Sequence, residues 1–123
     1  REALELDPTL AIAHTNLGNI LFRRGDDEGA EKLYKIAMGI DDRQPEAHYN
    51  LGYVMLERGD AKRAADHFEK AIERDSRFAD AHFNLAMACE QLGERSRARI
   101  HWKRYLDLEP QGTWADIARK HLS

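Results

Sequence analysis

The chain has 123 residues, with 19 Lys and Arg against 22 Asp and Glu, a formal net charge of −3, and 42% hydrophobic and 33% charged residues. That length bounds it at one ordinary domain, and its apolar content, with three prolines and eight glycines, excludes a disordered or collagen-like polymer. The balanced charge argues against binding to nucleic acid or an anionic membrane, since both rest on clustered cations.

The chain opens Arg1-Glu2-Ala3-Leu4-Glu5-Leu6-Asp7-Pro8, with neither an initiator Met nor the apolar core of a targeting segment. It reads as a fragment of a longer protein, with a cytoplasmic setting expected. Apolar runs are a handful of residues long, far short of the roughly 20 that cross a bilayer. Cys89 is the one cysteine, so neither an internal disulfide nor Cys-based zinc chemistry is supported.

From Ala11 onward the chain repeats itself at a step of 34 residues. Ala13/Ala47/Ala81, His14/His48/His82, Asn16/Asn50/Asn84 and Leu17/Leu51/Leu85 fall in register. So do Gly18/Gly52/Ala86, Gly25/Gly59/Gly93, Asp26/Asp60/Glu94, Ala30/Ala64/Ala98 and Tyr34/Phe68/Trp102. Such a period signals a stacked array, with units at 11–44, 45–78 and 79–112. Within each unit the apolar spacing predicts helix, turn, helix. In the middle unit His48, Leu51, Gly52 and Met55 form one stripe, Gly59-Asp60 the break, and Ala64, Phe68, Ala71 and Ile72 the second stripe. The small residues Gly52 and Ala64 let the two helices approach, with Phe68 filling the space beside them.

These residues resemble the tetratricopeptide repeat family, whose helical pair carries a large residue, Leu-Gly, then Gly, Ala, an aromatic, Ala and Pro. The resemblance implies an all-α, right-handed solenoid of antiparallel helix pairs. His14, His48 and His82 stand where the family often has Trp, and Asp42 and Ser76 replace the closing Pro that Pro110 retains. Ala3, Leu4 and Pro8 match the end of a preceding unit, although Tyr105 breaks the alanine series, so residues 1–10 are expected to close a truncated upstream repeat. After Gly112 the register stops. Thr113 is expected to N-cap a terminal helix over 113–123, with Asp116 in an approximate capping box and Trp114, Ile117, Ala118 and His121/Leu122 as its packing stripe. The C-terminal sequence resembles bacterial members of the family, some of which are transcription regulators.

No catalytic or cofactor site is expected. Phosphate loops, nucleophile elbows and His-Glu-x-x-His pairs are absent from the sequence, and Cys89 shares the repeat slot of Leu21 and Met55, a core position. The His14/His48/His82 row does not suit a metal, because equivalent points on stacked helices lie about 10 Å apart while zinc–nitrogen bonds are about 2 Å. His67 and His101 fail for the same reason, and all are expected to pack structurally.

The first helix of each unit has two apolar faces. At roughly 100° per residue from Glu46, His48, Leu51, Gly52 and Met55 cluster at about 140–240°, whereas Tyr49, Tyr53 and Leu56 lie at about 280–340°. The second face takes Ile12, Thr15, Asn19 and Phe22 from the first unit and Asp80, Phe83, Met87 and Glu90 from the third. The resemblance implies that this face lines a concave groove holding peptide segments. Tyr49, Tyr53, Phe83 and Met87 would supply adaptable contact area; Ile12, Phe22 and Leu56 serve either the ligand or the stack. The row Asn16, Asn50, Asn84 is similar to the asparagine ladders of some members. It either pairs with ligand peptide groups or bonds between helices. Other members clamp a C-terminal carboxylate with two asparagines and several cations. Asn19 and Asn50 match those asparagines, but Thr15, Asp80 and Asn84 occupy the cation places, and Glu46, Asp80 and Glu90 make the groove acidic. The expectation is a non-enzymatic protein-binding module or scaffold that prefers neutral or basic segments, with self-association or a regulatory role in a larger protein as alternatives.

Overall fold

A computed structural model describes residues 7–123. Among them lie seven helices and no strand: α1 Pro8–Arg23, α2 Asp27–Ile40, α3 Pro45–Glu57, α4 Ala61–Arg74, α5 Ala79–Gln91, α6 Arg95–Leu108 and α7 Thr113–Leu122. Each odd helix packs chiefly on the even helix that follows it, and each even helix on the next odd one, so the pairs stack in chain order. Lighter contacts of α1 with α3 and α3 with α5 bring the first helices of successive pairs side by side.

One turn, used three times, sets this geometry. Gly25, Gly59 and Gly93 end the first helices with φ of 88°, 85° and 77°, a left-handed conformation that glycine adopts without a Cβ penalty. The next residue turns its N–H back onto the departing helix: Asp26 donates to the Leu21 carbonyl, Asp60 to Met55 and Glu94 to Cys89, each at 2.9 Å. Its side chain then starts the next helix. Asp26 Oδ1 accepts from Gly29 N–H at 2.9 Å and Asp60 Oδ1 from Arg63 N–H at 3.1 Å. Glu94, one methylene longer, makes no such bond and pairs with Arg97 instead.

Inside each pair the approach is close. A Cβ at Gly18 would fall 2.7 Å from the Tyr34 ring, and one at Gly52 would fall 2.8 Å from Phe68. The third pair uses Ala86 and Trp102, and all three aromatics are fully buried. The turn from α2 to α3 is held by Asp41, a buried carboxylate that accepts from Nε and Nη2 of Arg43, each at 2.8 Å. That guanidinium holds the carboxyl well below its usual range, at about 2.

Three sequence expectations change. Helix α1 starts at Pro8, with Asp7 as N-cap accepting from Leu10 N–H at 3.1 Å, so the helix begins three residues ahead of the Ala11 boundary expected for the first unit. Pro8 favours this because proline suits the first helical position, where no donor is needed. The matching residues Ala3 and Leu4 lie outside the described residues. Thr113 is not a cap: Gly112 (φ 118°) precedes α7, no side chain caps it, and Asp116 pairs with Arg119 at 3.1 Å. Ala115 and Ala118 are the buried residues of α7, with Leu122 packed beside them and His121 stacked on Trp102 at 4.4 Å as the expected stripe has it, while Trp114 is 61% exposed.

The histidines also arrange differently. They meet across helix pairs, 19 positions apart, rather than along the stack: His48 stacks on His67 with ring centroids 6.0 Å apart, and His82 on His101 at 5.3 Å. Among the described residues no three His, Cys, Asp or Glu side chains gather as a metal-binding group. Among the described residues no helix covers the face of α1 that carries Leu17 and Ile20. Leu17 and Ile20 are 48% and 40% exposed, whereas their repeat equivalents Leu51, Val54, Leu85 and Ala88 are fully buried.

Candidate functional site: a two-hollow groove

The inner faces of α1, α3 and α5 form a groove with two adjoining hollows. The first, about 310 Å³, is lined by Asn19, Phe22, Arg23, Tyr34, Tyr49, Asn50 and Tyr53. The second, about 520 Å³, is lined by Tyr49, Tyr53, Leu56, Glu57, Asp80, Phe83, Asn84, Met87, Gln91, Tyr105 and Trp114. Tyr49 and Tyr53 wall both.

Aromatic edges fix these walls. Phe83 sits edge-to-face with Trp102 (4.9 Å), Tyr105 (5.1 Å) and Trp114 (5.4 Å), tying α5 to α6 and α7. Tyr53 meets Phe22 edge-on at 5.8 Å, and Tyr49 lies against Phe78 at 4.8 Å and Phe68 at 5.7 Å. Such contacts contribute about 0.5–1.5 kcal/mol each beyond burial.

The polar atoms are partly committed. Asn84 Nδ2 donates to Tyr49 Oη at 2.8 Å and to the Asp80 carbonyl at 3.2 Å, which uses both its hydrogens and leaves Oδ1 as an acceptor. Tyr34 O–H donates to Asn19 Oδ1 at 2.6 Å, which leaves the Asn19 amide to donate. Burial, reinforced by the nearby Asp80 and Tyr53, pushes the Tyr49 hydroxyl up to about 12. Burial likewise raises Tyr34 to about 12, so both hydroxyls keep their protons at neutral pH. Cys89 lines neither hollow and is fully buried, its thiol pushed up by burial, a core residue rather than a nucleophile.

Of the residues expected from sequence, Asn19, Tyr49, Asn50 and Tyr53 meet in the first hollow, and Tyr49, Tyr53, Asp80, Phe83, Asn84 and Met87 in the second. Asn16 and Glu46 are exposed and line neither. The asparagine row is therefore not uniform: Asn84 bonds between helices, Asn50 lines a hollow and Asn16 stands apart. Glu90 does not acidify the groove. Its Oε2 accepts from Trp102 Nε1–H at 2.9 Å and faces His121 Nδ1 at 3.1 Å, on another surface.

Trp114, Tyr105, Tyr34, Arg23, Glu57 and Gln91 also line the groove, beyond the residues the repeat pattern points to. For Trp114 the sequence does carry a signal. Extending the 34-residue step once more puts Thr113 on Ala79 and Trp114 on Asp80, so α7 takes the place of another first helix and turns Trp114 toward the groove.

Stacked antiparallel helix pairs with a groove along their first helices define a helical-repeat solenoid. The tetratricopeptide repeat model matches residues 8–77, and a second model of the same description matches residues 49–113. The chain belongs to the tetratricopeptide repeat family.

Similar solved structures share the right-handed solenoid fold at low identity. The first TPR of Spaghetti (RPAP3) bound to HSP90 peptide SRMEEVD is 21% identical, with a TM-score of 0.90, over 98% of this chain and 96% of that one. The Arabidopsis OM64 TPR domain is 23% identical, with a TM-score of 0.87, over 94% and 95%. The second TPR domain of human RPAP3, in complex with HSP70 peptide SGPTIEEVD, is 24% identical, with a TM-score of 0.86, over 95% and 99%. No curated protein sequence matches the chain. These matches do not bear out a bacterial origin.

Proposed function

We propose that the chain is a non-enzymatic interaction module whose groove holds a peptide segment, from a partner protein or from the parent polypeptide. The observation that carries this reading is the pair of adjoining hollows walled by Tyr49 and Tyr53, with half-buried aromatic rings and uncommitted polar atoms facing into them. Rings of this kind supply contact area at low entropic cost. Asn50 and the free amide of Asn19 are placed to meet peptide groups. That the similar RPAP3 domains are bound to HSP90 and HSP70 peptides supports peptide binding as the class of function.

The ligand preference differs from theirs. Those peptides end in Glu-Glu-Val-Asp, whereas Thr15, Asp80 and Asn84 occupy the places where a carboxylate clamp has cations. Thr15 is buried and bonds back to the Ala11 carbonyl at 3.1 Å. Neutral or basic segments fit better than acidic C-termini. The test is Asn50→Ala with Tyr53→Ala: partner capture falls while helix content is kept, and undiminished capture by the folded double variant rejects the groove.

A second reading, self-association through α1, is favoured by the exposed Leu17 and Ile20. Light scattering across micromolar to millimolar concentration separates the two, since a strict monomer rejects self-association.

A further inference from the structure

The second hollow has a chemical bias that the first lacks. Five aromatic rings, Tyr49, Tyr53, Phe83, Tyr105 and Trp114, face a space edged by the carboxylates of Asp80 and Glu57, and no lysine, arginine or histidine lines it. The field of Asp80 reaches both Tyr49 and Tyr105, adding to burial in raising their hydroxyls. The remaining polar atoms reinforce this. Because Asn84 spends its hydrogens on Tyr49 and Asp80, it shows the hollow an acceptor. The adjoining hollow carries Arg23 instead.

We propose that the hollow between Asp80 and Trp114 receives a lysine or arginine side chain of the peptide held in the groove. Ammonium and guanidinium groups are donors with no acceptor, matching a wall that is rich in acceptors. Aromatic faces attract them through the ring quadrupole, most strongly where water is excluded. A carboxylate at the rim completes charge-assisted hydrogen bonds. Arg23 disfavours a cation in the first hollow, so the charge pattern also sets the direction in which a peptide lies. This assignment rests on the peptide-groove reading above.

The experiment selects binders from a displayed library of random peptides on the full chain, then measures their affinity by fluorescence polarisation. Expected are groove binders that contain a Lys or Arg and lose about tenfold or more in affinity when it is replaced by norleucine or citrulline. Asp80→Asn, which removes charge but not shape, costs a similar factor, and the loss shrinks at high salt. Binders that are abolished by Tyr53→Ala yet indifferent to Asp80→Asn, or that dock an aliphatic or acidic residue there, overturn the cation site and leave the groove intact. A dimer dispersed by Trp114→Ala assigns the hollow to a second copy and overturns it too. Peptides unaffected by Asn50→Ala with Tyr53→Ala, or an empty selection, overturn both readings.

Discussion

The Nδ1 atoms of His82 and His101 lie 3.1 Å apart, bridging α5 and α6 inside the third helix pair. His82 Nε2–H donates to the Ser76 carbonyl at 3.0 Å, so a neutral His82 has a bare Nδ1 and His101 supplies the bridging proton. Burial pushes both below the ordinary histidine range, His101 to about 4, with His82 adding to the effect on His101. His48 and His67 in the middle pair shift the same way, chiefly through burial, His48 to about 4. Both ring nitrogens of His48 are buried without a hydrogen-bond partner.

These depressed values dictate a pH dependence of stability. Above about 6.5 the histidines are neutral in both folded and unfolded chains. As pH falls from there toward about 4, the unfolded chain takes up protons that the folded one refuses, so stability is lost across that window. Thermal melts between pH 7.5 and 4.5 should show Tm falling steadily. His101→Gln should flatten the slope relative to the parent, and an unchanged slope would show that other groups govern acid unfolding.

The bond from Trp102 Nε1 to Glu90 makes a second prediction. Glu90→Ala leaves a buried indole N–H without its acceptor, at a cost of about 1–3 kcal/mol. Glu90→Gln, which keeps an oxygen at the same reach, should recover most of it. Urea midpoints for the two variants decide the matter.

Gly52→Leu should destabilise by about 1–3 kcal/mol, because even a Cβ there meets the Phe68 ring at 2.8 Å and the Ala64 carbonyl at 3.2 Å. The same change made together with Phe68→Ala should cost less than the sum of the two single changes. Strict additivity in denaturant titrations would mean that the helices reposition rather than clash.

The two tryptophans should separate stability from binding. Trp102 is fully buried, so Trp102→Ala should cost about 3–5 kcal/mol. Trp114 is largely exposed and touches Phe83 edge-on, so Trp114→Ala should cost about 0.5–1.5 kcal/mol while weakening peptide capture markedly. A Trp114→Ala variant that melts as early as Trp102→Ala would place Trp114 in the structural core.

Much of this architecture is legible in the sequence because the same physical demands recur at one step. A helix must end, reverse and begin again, and Gly25-Asp26 and Gly59-Asp60 write that requirement in residues whose roles are local. The small-residue and aromatic pairings, Gly18 with Tyr34 and Gly52 with Phe68, are equally readable, since a close approach demands them. What resists reading depends on partners far away in the chain. Glu90 occupies a groove-facing repeat slot, but Trp102 and His121 draw its carboxylate elsewhere, and no spacing rule on α5 reveals a donor on α6. His48 and His82 look like a ladder along the stack until the antiparallel fold of each pair sets His67 and His101 against them. Trp114 escapes the repeat pattern because the residues around it no longer match it, although the helix they form keeps its place.

Tyr49 and Tyr53 belong to both hollows. For a peptide long enough to span them, the two contacts are therefore linked events. In the proposed groove, seating one side chain would fix the rings that the next must meet and raise the effective concentration of the second group beside its own cavity. On the proposed reading the pair would act as a ruler: a peptide whose two side chains are wrongly spaced could fill either hollow alone, but would gain none of the avidity of filling both.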